Sequence, residues 1–520
     1  MKAQELSAPH DSTPSRAWTG CILEFRTYYI ALLLVLVVCL IPIWIVDYPG
    51  MTDYLNHLVR DYILAHYDGN PLWQQRYSLD LTPLPNLAMD LFVVPLQRFL
   101  PLLVCGKLFL SVAAALYVFG CSELGRVIAG KPNWLALVCA LTFYNTELIK
   151  GLANFIFGVS VFLCVFAFWL RVRNRMSAMS FLLCALLSAV AYLSHLSSYV
   201  LLGVACSTVS FVDFVCHRRL LKLTAELAWL GFPILLICAF FHGSGRLGSI
   251  VWLLDWKEKL INLLSPFRSY NLSLIAAVAI TLLLCFIVML RGSTVHRTWV
   301  VGVVFFLLFI VSPNDLFTAS DVAERYVIPG YLILFLSIEP HWGRPQKMAL
   351  GIALIALMAS IGNIAVGWLS INRETKQVIA MGELLPEGAS VFVLPTWGLA
   401  SATAGTHSAL PRDRFLYMAQ FWTLSRRADV SNLAALPGQQ PLVFRQIACH
   451  GPSPQESEWL GCIASFDFVW SVDPAPAYLQ ALARIATPAA TYEIATLWRV
   501  NRTYAIKQQS PISAYRRNGP

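Results

Sequence analysis

The polar residues best suited to chemistry lie in the segment TDYLNHLVRDYILAHY, directly after the first long apolar run. Asp53, His57 and Asp61 recur at every fourth position, which places them on one stripe of a helix, and a neighbouring stripe carries Asn56 and Arg60. A carboxylate there can act as a general base while a nearby histidine shares its proton. The same side chains could hold a divalent cation. The alternative is a capped helix start whose remaining polar groups are solvated.

Two polar turns between later apolar runs carry further candidates on the same predicted side of the membrane. The turn YNTELIKGLANF contains Glu147, Lys150 and Asn154, and the turn YLSHLSSY contains His195. The alternative for the first turn is a polar link that only joins two helices. The alternative for His195 is an interfacial residue without a role in chemistry.

Two basic residues could bind phosphate. Lys107 lies about one turn inside the second apolar run, where a charge is costly unless it is paired or solvated. Its alternative is to extend outward to the interface. Arg325 begins a later run, and arginine matches phosphate oxygens with two parallel donors. Its alternative is a membrane anchor beside Tyr326 in the aromatic belt.

The composition is that of a membrane protein. Of 520 residues, 57% are hydrophobic and 13% are charged, and the mean hydropathy is +0.62, whereas soluble chains carry about 25% charged residues. The net charge of +9 does not indicate a nucleic-acid partner, because the basic residues collect at the ends of short loops on one side. The chain contains no GxxxxGK[ST], CxxC, HExxH or GxSxG motif, which argues against an ATPase engine and the common zinc and serine hydrolases.

The apolar runs predict a polytopic α-helical membrane protein with about 11 transmembrane helices. They lie at 28–46, 102–121, 134–148, 152–170, 176–192, 196–215, 227–241, 272–290, 299–311, 326–338 and 348–368. The positive-inside rule places the N-terminus in the cytoplasm and the C-terminus outside. We therefore expect a cytoplasmic tail at 1–27, a transmembrane domain at 28–371 with a large first periplasmic loop at 47–101, and a periplasmic α/β domain at 372–520, where strand-like and helix-like segments alternate.

The C-terminal region holds two cysteines apart from those in the apolar runs. Cys449 and Cys462 enclose a short loop, and an oxidising exterior permits a disulfide between them. The alternative is a pair of buried free thiols. His407, Arg412 and Arg414 are predicted on a loop that could cover the site.

The chain resembles the GT-C superfamily of membrane glycosyltransferases, which includes protein mannosyltransferases and the aminoarabinose transferase of lipid A. The resemblance rests on the first-loop motif from Asp53 to Arg60, on GLANFIFG at 151–158, and on the pair Arg325 and Tyr326. Within the motif Leu55 replaces a proline, and Tyr54 stands where an acidic neighbour is usual, which weakens a carry-over of the metal-binding versions.

The resemblance implies an enzyme that passes a sugar from a polyprenyl-phosphate donor to a lipid, glycan or protein acceptor at the outer face of a bacterial inner membrane. Asp53 would be the general base and Glu147 a second catalytic carboxylate. No cofactor is implied with certainty, and a divalent cation stays open. The predicted substrate-binding residues are His57, Arg60, Lys107, Asn154, His195 and Arg325. Two other readings remain, a transporter or flippase and a non-catalytic assembly factor for envelope polysaccharide.

Overall fold

The fold is described from a computed structural model. It describes residues 14–218, 220–240, 250–252, 256–316, 320–394, 414–435, 438, 440–445, 449 and 459–501. His407 and Arg412 of the predicted C-terminal loop lie outside the described residues.

Helices make up most of the described chain. In chain order they are α1 Pro14–Trp44, α2 Tyr54–Ala65, α3 Pro71–Arg76, α4 Ala88–Leu96, α5 Leu102–Ala129, α6 Leu135–Leu141, α7 Thr146–Lys150, α8 Ala153–Val172, α9 Ala178–Ser194, α10 Leu196–His217, α11 Leu220–Leu227, α12 Gly231–Phe240, α13 Trp256–Asn262, α14 Leu272–Leu290, α15 Trp299–Val311, α16 Val327–Leu336, α17 Arg344–Met381, α18 Arg414–Met418, α19 Phe421–Arg426, α20 Trp459–Ile463 and α21 Pro476–Ile485.

Within the described residues, 6 helical segments are long and apolar enough to cross a membrane. They are Phe25–Trp44, Leu102–Ala129, Ala153–Arg175, Leu196–His217, Leu272–Leu290 and Arg344–Leu384. Two shorter apolar helices, Ala178–Ser194 and Trp299–Val311, accompany them. The sequence predicts about 11 spans because apolar runs such as 134–148 and 326–338 also qualify by composition. Those runs fold as α6 and α16, which are too short to cross a bilayer alone.

The centre of the bundle is the pair α5 and α8. The Ser160 hydroxyl donates to the Ala113 carbonyl across this pair at 3.0 Å. The N-terminal end of α5 also carries α2, because Gly106 has no side chain and a Cβ there would lie 2.6 Å from Leu58 Cδ2. The polar helix of the first loop is therefore packed directly on the transmembrane core.

The strands, in chain order, are β1 Tyr77–Leu79, β2 Ile250–Val251, β3 Thr294–Val295, β4 Asp315–Leu316, β5 Ile338–Glu339, β6 Ser390–Leu394, β7 Asp429–Val430, β8 Leu442–Phe444, β9 Phe468–Val472, β10 Ala486–Tyr492 and β11 Ala495–Val500. Five of them form the C-terminal sheet in the order β10-β11-β9-β6-β7. Strand β6 runs parallel to β7 and β9, whereas β11 pairs antiparallel with β9 and β10. The predicted C-terminal α/β domain is present.

The expected start of the C-terminal domain at residue 372 lies within a helix. That boundary falls inside α17, which continues to Met381, because polar residues end a membrane span without breaking a helix. The domain also contacts the first loop, since β8 pairs antiparallel with β1 and places Ser78 opposite Val443. This contact covers the face of α2 that points away from the bundle.

Candidate functional site

The start of α2 is fixed by the turn that contains α7. The backbone N–H groups of Thr52 and Asp53 donate to the carbonyls of Ile149 and Lys150 at 3.2 and 2.9 Å. Gly151 ends α7 with a φ of +97°, and a Cβ there would overlap the backbone nitrogen of Asp53. Only glycine combines this backbone conformation with so close an approach. Two of the predicted polar segments therefore meet at Asp53.

The Asp53 carboxylate is held by its own helix and stays accessible. Its Oδ2 lies 3.1 Å from His57 Nε2, and its Oδ1 accepts from Asn56 Nδ2 at 3.2 Å. Asp53 occupies the N-cap position, but its side chain makes no capping bond, which removes the simplest structural alternative. The side chain is 27% exposed, against 5% for His57. The carboxylate is therefore accessible to solvent past its two partners.

The surroundings of Asp53 keep it ionised. Burial acts to raise the pKa of this carboxyl, but the charge and hydrogen bond of His57, the hydrogen bond from Asn56 and the charge of Arg60 act in the opposite direction. The net result is a pKa below the usual value. At neutral pH this group is a carboxylate with two fixed donors.

Arg60 is fully buried and joins α2 to α4 and to the C-terminal domain. Its Nε and one Nη each donate to the Asp90 carboxylate at 2.8 Å, and the other Nη donates to Gln440 Oε1. Asp61 is buried beside this pair, and neither of its oxygens has a hydrogen-bond partner among the described residues. Burial and the charge of Asp90 raise the pKa of Asp61 well above its usual value. Asp61 therefore belongs to this buried cluster.

Glu147 is a buried carboxyl without a hydrogen bond to either oxygen among the described residues. Lys150 Nζ lies 3.9 Å from it and forms closer pairs with Asp321 at 2.9 Å and Glu324 at 2.8 Å. Burial raises the pKa of Glu147 to about 7, with the charge of Lys150 acting against it and those of Glu324 and Asp321 adding to it. The two predicted catalytic carboxyls thus have pKa values displaced in opposite directions, a pattern typical of acid–base sites.

Arg325 and His195 meet close by, in the turn Glu324–Tyr326 and at the start of α10. Arg325 donates to the Ser197 hydroxyl at 3.0 Å and to the Ser320 carbonyl at 2.9 Å, while its Nε is buried without a partner among the described residues. Burial, then the charges of Arg325 and His57, lower the pKa of His195 well below its usual value. The charge of His57 on α2 therefore acts on this pair.

His195 and Arg325 face each other with two donor nitrogens. The backbone N–H of Ser197 donates to His195 Nδ1 at 3.1 Å, so the proton of the neutral ring is on Nε2. That Nε2 lies 3.4 Å from an Arg325 Nη, which also carries protons. Neither group can accept from the other, so the pair is suited to an oxyanion placed between them.

Asn154 and Lys107 are placed differently from the other predicted residues. The Asn154 Oδ1 accepts from the Met89 N–H at 2.7 Å, and its Nδ2 donates to the Asn86 carbonyl at 2.9 Å. Asn154 therefore anchors the loop before α4. Lys107 lies over the Trp44 ring, 5.6 Å from its centroid, at the end of α1.

The structure adds residues that the sequence analysis did not select. Asp321 and Glu324 precede Arg325 in SDVAER, and an acidic pair three residues apart was a usable signal. Asp90 lies in an amphipathic segment, whereas Gln440 shows no sequence signal. No group of three or more His, Cys, Asp or Glu in the described part of the chain could hold a metal ion.

The C-terminal cysteines form a disulfide between Cys449 and Cys462, with Cα atoms 5.3 Å apart. It joins the loop before α20 to that helix.

A separate cavity of about 300 Å³ lies at the other end of α10. Asp213 and Glu226 line it, and both are paired with the buried Arg173. Because α10 is 22 residues long, this cavity is about 30 Å from His195. We interpret this cavity as space around the ion pairs that link the ends of the membrane-spanning helices, and not as part of the site around Asp53.

The comparisons with known proteins bear on the fold. No protein-family model and no curated protein matches the chain. Among solved structures, it is similar to ArnT from Cupriavidus metallidurans bound to undecaprenyl phosphate, with a TM-score of 0.54 and 12% sequence identity, over 90% of this chain and 97% of that one. At this identity the likeness concerns the fold alone. The chain thus shares the overall fold of that structure, in agreement with the polytopic helical membrane protein predicted from its sequence, and its C-terminal domain contains strands.

Proposed function

We propose that this protein transfers a sugar from a polyprenyl-phosphate-linked donor to a hydroxyl of a lipid, glycan or protein acceptor, with Asp53 as the general base. The observation that carries the proposal is the Asp53 carboxylate, which is ionised, partly exposed and oriented by two donors beside the membrane core. The similarity to ArnT in complex with undecaprenyl phosphate supports the class of donor.

In the proposed reaction Asp53 accepts the proton of the acceptor hydroxyl as its oxygen attacks the anomeric carbon of the donor sugar. The bond between that carbon and the phosphate oxygen breaks, and the leaving group is the polyprenyl phosphate. The negative charge that develops on the phosphate needs donors that are already in place. His195 Nε2–H and the guanidinium of Arg325 are such donors, since neither satisfies the other.

Glu147 remains the second predicted carboxylate of the reaction. Its pKa of about 7 lets it take up or release a proton at neutral pH, and the turn that carries it is bonded to the backbone of Asp53. Because Glu147 is fully buried and Asp53 is 27% exposed, the acceptor meets Asp53 first. Lys107 and Arg60 stay predictions for substrate binding, with Arg60 occupied by Asp90 and Gln440 in this state.

The proposed location is a bacterial inner membrane, with the N-terminus cytoplasmic and the C-terminal domain periplasmic. In this orientation Asp53, Glu147 and Arg325 lie at the outer face, where a lipid-linked sugar and an envelope acceptor can meet. The basic loop ends on the opposite side support this orientation.

The test replaces Asp53 by asparagine, which keeps the size of the side chain and one acceptor oxygen but cannot take up the proton. Purified protein in nanodiscs would be assayed with undecaprenyl-phosphate-linked monosaccharides and an envelope fraction as acceptor. We expect Asp53→Asn to lower the transfer rate about 10²- to 10⁴-fold while binding of undecaprenyl phosphate is retained.

The matched control is Asp47→Asn, because Asp47 is 56% exposed and pairs with Lys376 at the surface. We expect it to leave transfer unchanged. Full transfer by a folded Asp53→Asn protein would refute the assignment of the base. Absence of transfer by the unaltered protein with every donor would refute the proposed function.

A further inference from the structure

One buried amide connects the C-terminal domain to the proposed base. Asn56 is 2% exposed. Its Oδ1 accepts from the backbone N–H of Ala434 at 2.8 Å, and its Nδ2 donates to Asp53 Oδ1 at 3.2 Å. A residue of the C-terminal domain therefore reaches the Asp53 carboxylate through a single side chain.

The direction of this connection is determined by Ala434. A backbone N–H can only donate, so the atom of Asn56 that faces it must be the oxygen. The amide nitrogen then faces Asp53, which as a carboxylate can only accept. Without the Ala434 N–H, the amide loses the contact that keeps its oxygen away from the carboxylate.

Ala434 is itself held firmly against α2. The residues on either side of it, Leu433 and Ala435, are buried and pack with Val59 and Ile63 of α2. The pairing of β8 with β1 and the bond from Arg60 to Gln440 fasten the same part of the domain. The position of the N–H thus depends on docking of the C-terminal domain, not on the α2 helix.

We propose that Asn56 is a positioning residue, which orients the Asp53 carboxylate for proton transfer only while the C-terminal domain is docked and Ala434 supplies its N–H. This inference rests on the proposed function of Asp53. It adds a role for the C-terminal domain, which completes the catalytic geometry from the far side of α2 without touching the substrate. Because an error of about 1 Å in a catalytic group can cost up to about 10²-fold in rate, one hydrogen bond is enough for this control.

Two substitutions interrupt the connection at different places. Asn56→Leu removes the amide and keeps the branching of the side chain, and Ala434→Pro removes the backbone donor while adding a ring at a partly buried position. We expect each to lower kcat about 10- to 100-fold and to change KM less than about 2-fold. Ala434→Gly is the matched control, because it keeps the N–H, and we expect it to retain kcat.

A second measurement does not depend on transfer. The carboxylate band of Asp53 in infrared difference spectra is identified by its absence in Asp53→Asn. We expect this band to shift in Asn56→Leu and in Ala434→Pro, and not in Ala434→Gly. Amide exchange of β1 and β8 reports whether the domain is still docked, so a variant that fails to dock is recognised. For such a variant, a shifted band also supports the proposal.

The outcomes distinguish the positioning role of Asn56 from the assignment of Asp53 as the general base. An unshifted Asp53 band in Asn56→Leu, or an unchanged kcat in both Asn56→Leu and Ala434→Pro, would overturn the positioning role. A loss of kcat accompanied by an equal rise in KM, without a band shift, would indicate a structural role and would overturn it too. If Asp53→Asn itself retains transfer, the proposed base is wrong, whereas the band shift still tests the connection to Ala434.

Discussion

Replacement of Glu147 by glutamine should make the protein more stable at neutral and alkaline pH, and leave it unchanged in acid. Burial raises the pKa of Glu147 from 4.5 to about 7, so the folded protein holds a proton there that the unfolded chain releases. Below about pH 4.5 both states are protonated and the group has no effect. Between about pH 4.5 and pH 7 the unfolded chain ionises while the folded protein keeps its proton, so stability falls, and above pH 7 the full loss remains.

The size of the effect follows from the two pKa values. A pKa difference of 1 corresponds to about 1.4 kcal/mol, so the rise to about 7 corresponds to about 3 kcal/mol at alkaline pH. Glutamine has the same shape and no charge to desolvate. Lys150 keeps its pairs with Asp321 and Glu324 in the variant. We therefore expect that the stability of the Glu147→Gln variant does not fall by this amount at alkaline pH.

The assay is thermal unfolding in one detergent and at one scan rate, with both proteins compared between about pH 5 and pH 8. The difference between the midpoints should be smallest near pH 5, and the Glu147→Gln midpoint should be a few degrees higher near pH 8. Glu383→Gln is the control, because Glu383 is exposed and its replacement should not change the pH dependence. A Glu147→Gln protein that is less stable at every pH would mean that Glu147 is an ionised partner of Lys150, and would refute this reasoning.

Two further predictions concern the backbone at the site and the C-terminal domain. Gly151→Ala should lower stability by about 1–3 kcal/mol and reduce transfer, because the added methyl group overlaps the backbone of Asp53. The control is Gly203→Ala, which has open space around it and should change neither property. Unfolding midpoints and transfer rates measure both effects. Cys462→Ser removes the bond to Cys449 and should cost about 3 kcal/mol in the chain-entropy model; if a reducing agent lowers the unfolding midpoint of this variant as much as that of the unaltered protein, the prediction is wrong.

Local contacts in the site follow from the sequence, and the distant ones do not. Asp53 and His57 are four residues apart, and helical geometry alone brings them to 3.1 Å. Asp61 is on the same nominal stripe, but each step of four residues turns about 40° around the axis. After two steps the side chain faces Asp90, and burial there raises the pKa of Asp61 well above its usual value. Helical periodicity therefore predicts contacts between residues four apart better than it predicts which residues share a whole face of the helix.

The C-terminal domain shows the same limit. Its strands are visible as apolar β-branched and aromatic segments, whereas its boundary is not, because α17 changes from apolar to polar without a break. The contact of Asn56 with Ala434 spans 378 residues. A single sequence carries no periodic signal for such a pair.

The sequence by itself determines that the chain spans a membrane, and it selects Asp53, Glu147 and Arg325 as the residues able to do chemistry, because apolar length, helical spacing and residue type are local properties. The tertiary structure decides what each of them is. Asp53 has fixed donors and is an accessible carboxylate, whereas Glu147 has no hydrogen-bond partner among the described residues and burial raises its pKa to about 7. The two carboxyl groups are chemically almost the same, and their difference comes from the dielectric, charges and hydrogen bonds that the fold places around each.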